Sequence, residues 1–150
     1  MNIAIKNLQK TIAVNSRVLL SIRKVIRKTW ELEGRKNRGG EITVCLLNNR
    51  RMRKLNLQYL RQDKPTDVLA FNLTAKGNKS YAPLVADIIV STETAISNAR
   101  IFKTTVLYEL LLCVVHGLLH VLGYEHKNPR QEKIMQNKTN RILKFRHVHP

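Results

Sequence analysis

The 150-residue sequence is poor in the residues that define several specialised protein classes. Two cysteines, Cys45 and Cys113, are too few for a disulfide scaffold, and both lie in apolar runs, which is typical of small buried thiols in a reducing compartment. Six Gly and four Pro exclude collagen-like and low-complexity chains. A hydrophobic share of 43% is enough for a folded core. The composition therefore predicts a single globular domain over residues 1–150.

Acidic residues are also scarce, and the resulting positive charge is unevenly distributed. The chain has 10 Asp and Glu against 27 Lys and Arg, a net charge of +17. Residues 1–64 carry 16 basic and 4 acidic groups (net +12), residues 65–126 carry 4 and 5 (net −1), and residues 127–150 carry 7 and 1 (net +6). A near-neutral centre between basic flanks favours a site reached across a basic surface. This distribution indicates a polyanionic partner such as a nucleic acid.

The sequence favours a cytoplasmic protein without a membrane partner. The first ten residues, MNIAIKNLQK, lack the charged start, long apolar stretch and small-residue cleavage site of a signal peptide. Val106–Tyr124 is nearly long enough to cross a bilayer. It contains Glu109, His116 and His120, however, and a Glu at mid-bilayer is costly. We therefore expect a fully buried helix at this position.

Hydrophobic periodicity predicts a mixture of strands and helices without strict alternation. The predicted strands are a short one through Ile3 and Ile5, and then Glu41–Leu47, Val68–Leu73 and Leu84–Val90. The predicted helices run from a Ser16 cap to Gly34, over Asn49–Leu60, from Ser91 to Phe102, over Thr104–Leu122, and onward from Asn128-Pro129. This pattern predicts an α+β domain in which one small sheet is packed with helices.

Three histidines form the most specific motif, His116-Gly-Leu-Leu-His120-Val-Leu-Gly123-Tyr-Glu-His126. Four residues on a helix turn about 400°, so His116 and His120 lie on one side, about 6 Å apart along the axis. Gly123 stops the helix and permits a left-handed turn that can bring His126 back beside them. Three imidazoles leave the fourth position of a tetrahedral zinc ion for water. The motif therefore predicts an open, zincin-like site with one Zn²⁺ per chain.

Two neighbouring positions distinguish between kinds of metal site. Cys113, three residues before His116, is an alternative fourth ligand that would close the site. The metzincin peptidases share the histidine spacing but carry Glu directly after the first His as general base, and this position is Gly117 here. The sequence therefore favours an open catalytic site and disfavours proteolysis.

Three further residues near the motif have alternative interpretations. Glu109 and Glu125 could each orient a metal ligand from outside the coordination sphere, whereas Glu109 could instead contact the terminus of its own helix. Met135 invites comparison with the Met-turn of the metzincins. A Met at helical apolar spacing is more typical of a core position, so we expect Met135 in the core.

Beyond this motif, three blocks of the sequence resemble one family. The segment Glu109–His126, ELLLCVVHGLLHVLGYEH, closely resembles the signature of the YbeY family, the bacterial ribosomal-RNA maturation factors. Asn56–Phe71, NLQYLRQDKPTDVLAF, resembles the second diagnostic block, in which Thr66–Leu69 supports the likeness independently. Asp87-Ile88 is similar to a third, weaker block. The order of the blocks and the chain length also match, so the resemblance covers nearly the whole chain.

The resemblance implies a zinc-dependent endoribonuclease specific for single-stranded RNA. It implies action in maturation of the 3′ end of small-subunit ribosomal RNA and in ribosome quality control, with RNA and the ribosome or its small subunit as partners. The fold implied is one α+β domain with a small mixed four-stranded sheet. The zinc ligands implied are His116, His120 and His126.

The sequence departs from the family pattern at three positions. The family has Tyr-Arg where this chain has Tyr59-Leu60, and the resemblance implies that this Arg contributes to activity. The adjacent Arg61 is therefore the candidate catalytic residue. Glu125 stands in place of Asp, and Ala70 in place of Ser. None of these changes alters the three histidines.

Two other functions remain open from the sequence. A non-catalytic RNA- or ribosome-binding biogenesis factor could keep zinc for stability, and Leu60 in the Arg position favours this alternative. A metallopeptidase is the weaker alternative, because Gly117 cannot activate water.

Overall fold

Four strands form one mixed sheet in the computed structural model, which describes residues 1–34, 39–62, 66–74 and 82–147. The strands are β1 (Asn2–Asn7), β2 (Gly40–Leu47), β3 (Val68–Asn72) and β4 (Leu84–Ser91). Their order across the sheet is β1-β2-β4-β3. β1, β2 and β4 run parallel, and β3 pairs antiparallel with β4. The predicted α+β class with a small mixed four-stranded sheet is confirmed.

Five helices accompany the sheet in the described part of the chain. They are α1 (Ser16–Glu33), α2 (Asn49–Leu60), α3 (Thr92–Phe102), α4 (Val106–Val121) and α5 (Pro129–His147). One cap differs from the prediction, because Asn15 rather than Ser16 caps α1 and accepts a hydrogen bond from the Val18 amide at 3.1 Å. The predicted start of α5 is confirmed, since the Asn128 side chain accepts from the Gln131 amide at 2.9 Å.

One face of the sheet carries the main core. Its central side chains, Ile42, Val44 and Leu46 of β2 with Ile88 and Val90 of β4, are at most 1% exposed. They alternate along each strand, as the pleat of a β-sheet requires. Side chains of α1, α4 and α5 complete this apolar cluster. The long apolar run noted in the sequence is therefore a core helix, α4, which is buried on most of its circumference.

The other face of the sheet is only partly covered. Met52 of α2 is fully buried there against Leu47, Leu69 and Ile89. Cys45 lies beside this small cluster and is half-buried, so the prediction of a buried thiol is wrong for Cys45 and right for Cys113.

No single helix among the described residues has both the length and the hydropathy to cross a membrane. The α3–α4 pair satisfies both criteria when taken together, but its two helices are bent by 116°.

Gly117 allows α4 to lie unusually close to the sheet. A Cβ atom at this position would meet Cγ2 of Ile88 at 2.9 Å and Cγ2 of Val68 at 3.1 Å. Cβ of Ala70 would be 3.6 Å away. Carbon atoms at optimal separation are about 3.5–4.0 Å apart, so even one methyl group would overlap the β3–β4 surface. The residue that replaces the metzincin Glu therefore faces packed strands and has no room for a carboxylate.

We expect Gly117→Ala to destabilise the fold by about 1 kcal/mol. Higher helix propensity would favour Ala by about 1 kcal/mol. Overpacking against branched, immobile side chains costs about 1–3 kcal/mol, and we expect this cost to dominate. Urea unfolding followed by circular dichroism measures the difference.

Gly39→Ala is the matched control, because its added Cβ would meet nothing nearer than Pro83 Cβ at 4.0 Å. It should change the free energy of unfolding by less than about 0.5 kcal/mol. A Gly117→Ala variant at least as stable as the native chain would contradict the close packing.

Candidate metal centre

Helix α4 brings the first two histidines together on its last turns. His116 and His120 are four residues apart, which places them on one face of the helix. Their ring centroids are 4.7 Å apart, and the two Nε2 atoms face each other at 3.0 Å. Both residues are half-buried. The helix geometry expected from the spacing is therefore present.

The chain reverses immediately after α4. Gly123 has a φ of +105°, a conformation that side-chain-bearing residues rarely adopt. The Gly123 amide donates to the His120 carbonyl at 3.0 Å, and the Tyr124 amide donates to the Leu119 carbonyl at 3.0 Å. These two bonds are those of a Schellman motif. A Cβ on Gly123 would meet nothing within 4 Å, so the backbone conformation rather than space requires glycine here.

This reversal carries His126 back to the helix. Its ring centroid lies 5.3 Å from that of His116 and 4.8 Å from that of His120. One ligand nitrogen from each of the three rings lies within 4.8 Å of the others. His126 is exposed, whereas its two partners are half-buried. The structure therefore brings together all three histidines that the sequence singled out, with solvent on the His126 side.

The donor set fits a zinc ion. Zinc binds imidazole nitrogen at about 2.0–2.1 Å, so two nitrogens on one tetrahedral ion lie about 3.3 Å apart. The 3.0 Å between the Nε2 atoms of His116 and His120 is close to that separation. Three imidazoles are also a donor set that zinc shares with other divalent transition metals. The histidine cluster can therefore hold a metal ion.

Electrostatics favour the neutral rings that metal binding requires. Burial, and after it the neighbouring His120, lower the pKa of His116 to about 4. Burial and then His126 lower the pKa of His120, although a hydrogen bond with the Tyr124 main chain acts in the opposite direction. Because only a neutral imidazole has a lone pair for a metal, these two rings are ready to bind at neutral pH.

Cys113 does not join the cluster. Among the described residues, the metal-competent group contains only the three histidines. The thiol is 4% exposed, and burial raises its pKa far above the usual value, with Asp67 and Glu109 adding to the effect. A thiol in this environment remains protonated and is a poor ligand. The alternative of a closed site with Cys113 as fourth ligand thus has no support in the geometry.

The two glutamates near the motif have different partners. Glu109 is buried in the first turn of α4, where its carboxylate accepts a hydrogen bond from Thr104 Oγ1 at 2.6 Å. The helix-terminus interpretation is therefore correct, and the ligand-orienting one is wrong. The carboxylate of Glu125 pairs with Lys127 Nζ at 3.2 Å on the surface. Met135 is in the core, 2% exposed, as its helical spacing predicted.

Asp67 is the site residue that sequence reasoning missed. It lies just before β3 and lines the same cleft as His116 and His126. Its Oδ1 accepts from the Val68 amide at 2.9 Å, which fixes the carboxylate. Asp67 raises the pKa of His116, against the lowering effect of burial. The signal was present, because Asp67 belongs to the block Thr66–Leu69 that carries part of the family resemblance.

Arg61 ends α2 rather than continuing it. The residue adopts a left-handed conformation with φ of +54°, and its amide donates to the Asn56 carbonyl. Arg61 is exposed, and the described residues that line the cleft beside the histidines do not include it. The role of Arg61 in catalysis stays a prediction. Leu60, beside it, is 51% exposed.

A buried carboxylate connects three elements behind the histidine turn. Glu33, the last residue of α1, has a side chain that is 7% exposed. It accepts a hydrogen bond from the Tyr124 hydroxyl at 2.8 Å and from Lys138 Nζ at 2.9 and 3.0 Å. Lys138 Nζ also lies 4.9 Å from the centroid of the Tyr124 ring. Because Tyr124 stands between Gly123 and His126, this Glu33 network holds the turn that carries His126.

The fold and the site together define an α+β protein with a three-imidazole centre that can hold a metal ion. The family model described as Endoribonuclease YbeY matches residues 4–147. The chain belongs to the YbeY endoribonuclease family.

Individual relatives agree with this assignment. An Endoribonuclease YbeY from Geobacillus sp. is 38% identical over 112 residues, which cover 70% of this chain and 72% of the relative. One from Syntrophus aciditrophicus is 32% identical over 153 aligned positions, covering 100% of this chain and 92% of the relative. The solution structure of TM1509 from Thermotoga maritima superposes with a TM-score of 0.62 at 26% identity, covering 99% of this chain and 93% of that one.

Removing one histidine should weaken metal binding strongly. We expect His120→Ala to lower zinc affinity by more than about 100-fold. Removing a residue that only orients a metal ligand costs about 10- to 100-fold, and removing the ligand itself should cost more. Competition with a chromophoric chelator measures the dissociation constant. Cys113→Ala is the matched control and should bind zinc as the native chain does. An equal loss in both variants would show that the thiol is a ligand.

The Glu33 network predicts a smaller, indirect effect on metal binding. Tyr124→Phe removes the hydroxyl that holds the turn and leaves the Glu33–Lys138 pair intact, so zinc affinity should fall by about 10-fold. The same chelator competition measures it. Tyr59→Phe, at a tyrosine that is 57% exposed on α2, is the matched control. Native-like affinity in Tyr124→Phe would mean that the turn needs no such support.

Proposed function

We propose that this chain is a zinc-dependent endoribonuclease that cleaves single-stranded RNA. In this proposal it acts in the cytoplasm, on or near the ribosome or its small subunit, in maturation of the 3′ end of small-subunit ribosomal RNA and in ribosome quality control. The observation that carries the proposal is the convergence of three histidine ligand atoms within 4.8 Å in a member of the YbeY family. The basic flanks of the sequence support an RNA substrate independently.

The proposed zinc ligands are His116, His120 and His126, with one ion per chain. A zinc ion held there would polarise a phosphoryl oxygen and lower the pKa of a bound water. The contribution of the chain itself is to place the donors in advance. Helix α4 fixes two half-buried neutral rings, and the Gly123 turn adds the third from the solvent side. Preorganised donors need little rearrangement when substrate binds.

The open side of the site suits an extended substrate. His126 is exposed, so an RNA strand can approach the cluster from that side without displacing any element of the described part of the chain. Helix α2 presents a row of exposed basic residues, Arg50, Arg51, Arg53 and Lys54. Such side chains bind phosphates irrespective of sequence and make affinity sensitive to salt. RNA binding should therefore weaken as the salt concentration rises.

The non-catalytic alternative is favoured by two observations at the end of α2. Leu60 stands where the family resemblance implies an Arg, and Arg61 does not line the cleft within the described part of the chain. A chain of this kind would bind RNA or the ribosome and use zinc for stability. The peptidase alternative loses support, because the packing of Gly117 against Ile88 and Val68 leaves no space for the required carboxylate.

Cleavage of a labelled single-stranded RNA tests the proposal directly. We expect the zinc-loaded native chain to cleave it and to leave a duplex of the same sequence intact. Chelation of the metal should abolish cleavage, and zinc should restore it in the native chain and in Cys113→Ala. His120→Ala should lose at least about 100-fold in rate, in line with its loss of metal. Gel electrophoresis of the products provides the measurement.

Two outcomes separate the alternatives in this experiment. Salt-sensitive RNA binding without cleavage, unchanged in His120→Ala, would support the non-catalytic factor instead. Full cleavage by metal-free protein would exclude the zinc mechanism. Arg61→Ala and Leu60→Arg extend the test to catalysis: loss of rate in the first would assign a role to Arg61, and a gain in the second would show that Leu60 attenuates the activity.

A further inference from the structure

A cleft beside the histidine cluster has a floor that suits a flat apolar surface. It lies between α4 and α5, opens at His116 and His126, and has a volume of about 380 Å³. This is within the range of about 300–1,000 Å³ that is usual for small-ligand sites. Its floor includes Cys113 and Met135, which are 4% and 2% exposed. Leu112 adds a half-buried apolar wall.

The rim of the cleft carries side chains that can both donate and accept hydrogen bonds. Gln136 and Asn140 lie four residues apart on α5, so they share one face of the helix, and both are exposed. Each side-chain amide offers donors and an acceptor together. Tyr108 of α4 adds an aromatic ring to the lining. A flat heterocycle with donors and acceptors on its edge complements this combination.

Away from the histidines, the charge of the cleft disfavours a phosphate. Two carboxylates, Asp67 and Glu132, line it, and no Lys or Arg does so within the described ranges of the chain. The charge of these lining side chains is opposite in sign to the net charge of the whole sequence, which is +17. Phosphates are held by cationic groups, so the carboxylates would repel a phosphate from the part of the cleft that lies away from a metal ion at the histidines. The ligand should be neutral and should donate hydrogen bonds to the carboxylates.

We propose that this cleft binds one nucleobase of the RNA, next to the scissile phosphate, and prefers adenine or cytosine to uracil. The inference rests on the proposed function. Gln and Asn side chains pair with N6 and N7 of adenine, and acidic side chains accept from N4 of cytosine. Uracil has no exocyclic amino group and presents carbonyl oxygens to the same carboxylates. The cleft would thus select among bases, while the basic surface binds the backbone.

The first test compares cleavage of oligonucleotides that differ in one base next to the cut. For the native chain, kcat/KM with adenine or cytosine should exceed that with uracil by at least about 5-fold, the lower bound for a good amide or acid contact to a base. Gln136→Ala and Asn140→Ala should reduce this preference and leave zinc content unchanged. Asn137→Ala is the matched control, because Asn137 is an exposed neighbour on α5 that does not line the cleft.

The second test needs no cleavage. Adenosine, cytidine and uridine monophosphates and ribose 5-phosphate are titrated into the native chain and followed by NMR. Adenosine and cytidine monophosphates should shift the side-chain amides of Gln136 and Asn140 and the methyl group of Met135. Uridine monophosphate should do so with at least about 5-fold weaker apparent affinity, and ribose 5-phosphate should leave the two amides unshifted. In Gln136→Ala, the apparent affinity for adenosine and cytidine monophosphates, measured from the Met135 shift, should be at least about 5-fold weaker.

The outcomes distinguish this inference from the proposed function. If the native chain cleaves RNA with zinc and the base preference survives in Gln136→Ala and Asn140→Ala, the cleft does not read the base and the nuclease stands. If the native chain cleaves nothing, the proposed function fails, and the NMR shifts alone decide whether the cleft takes a base. Equal shifts with ribose 5-phosphate would overturn the inference, because they would identify a phosphate or sugar site.

Discussion

The site depends on the close contact between helix α4 and the β3–β4 edge of the sheet. Gly117 makes that contact possible, because even a Cβ would lie 2.9 Å from Ile88. Its neighbour in sequence is His116, and Asp67 precedes the strand against which the glycine packs. The contact therefore sets the position of His116 relative to Asp67. Among the described residues that line the cleft, Asp67 is the only acidic one outside α5. A bulkier residue would move α4 and both of its histidines together.

Two separate sets of interactions place the third ligand, His126. The Schellman turn at Gly123 sets the direction of the chain after α4, and it uses only local hydrogen bonds. The Glu33 network then holds that turn through partners from α1 and α5. The hydrogen bond with Glu33 is the main cause that raises the pKa of Lys138, so the lysine stays charged opposite the carboxylate. A local turn and a long-range ion pair thus together fix the position of the exposed His126.

Features that depend on residues close together in the sequence could be predicted, whereas features that depend on contacts between distant residues could not. Strands, helices and the His116–His120 pair depend on periodicity over a few residues, and the structure agrees with them. The positive φ of Gly123 was predictable for the same reason. Tyr124 and Lys138 are 91 and 105 residues from Glu33, so no local pattern indicates that network. The ligand-orienting interpretation of Glu109 failed for a related reason. Helical spacing placed Glu109 on the same face as His116 but could not show that Thr104, just before α4, donates a hydrogen bond to its carboxylate.

We infer that three imidazoles and no thiolate hold one zinc ion, with one coordination position left open. X-ray absorption at the zinc edge of the loaded native protein measures the ligand atoms directly. We expect nitrogen and oxygen neighbours at about 2.0–2.2 Å, with the outer-shell pattern of three imidazoles and no sulfur. A sulfur neighbour at about 2.3 Å, or fewer than three imidazoles, would contradict it.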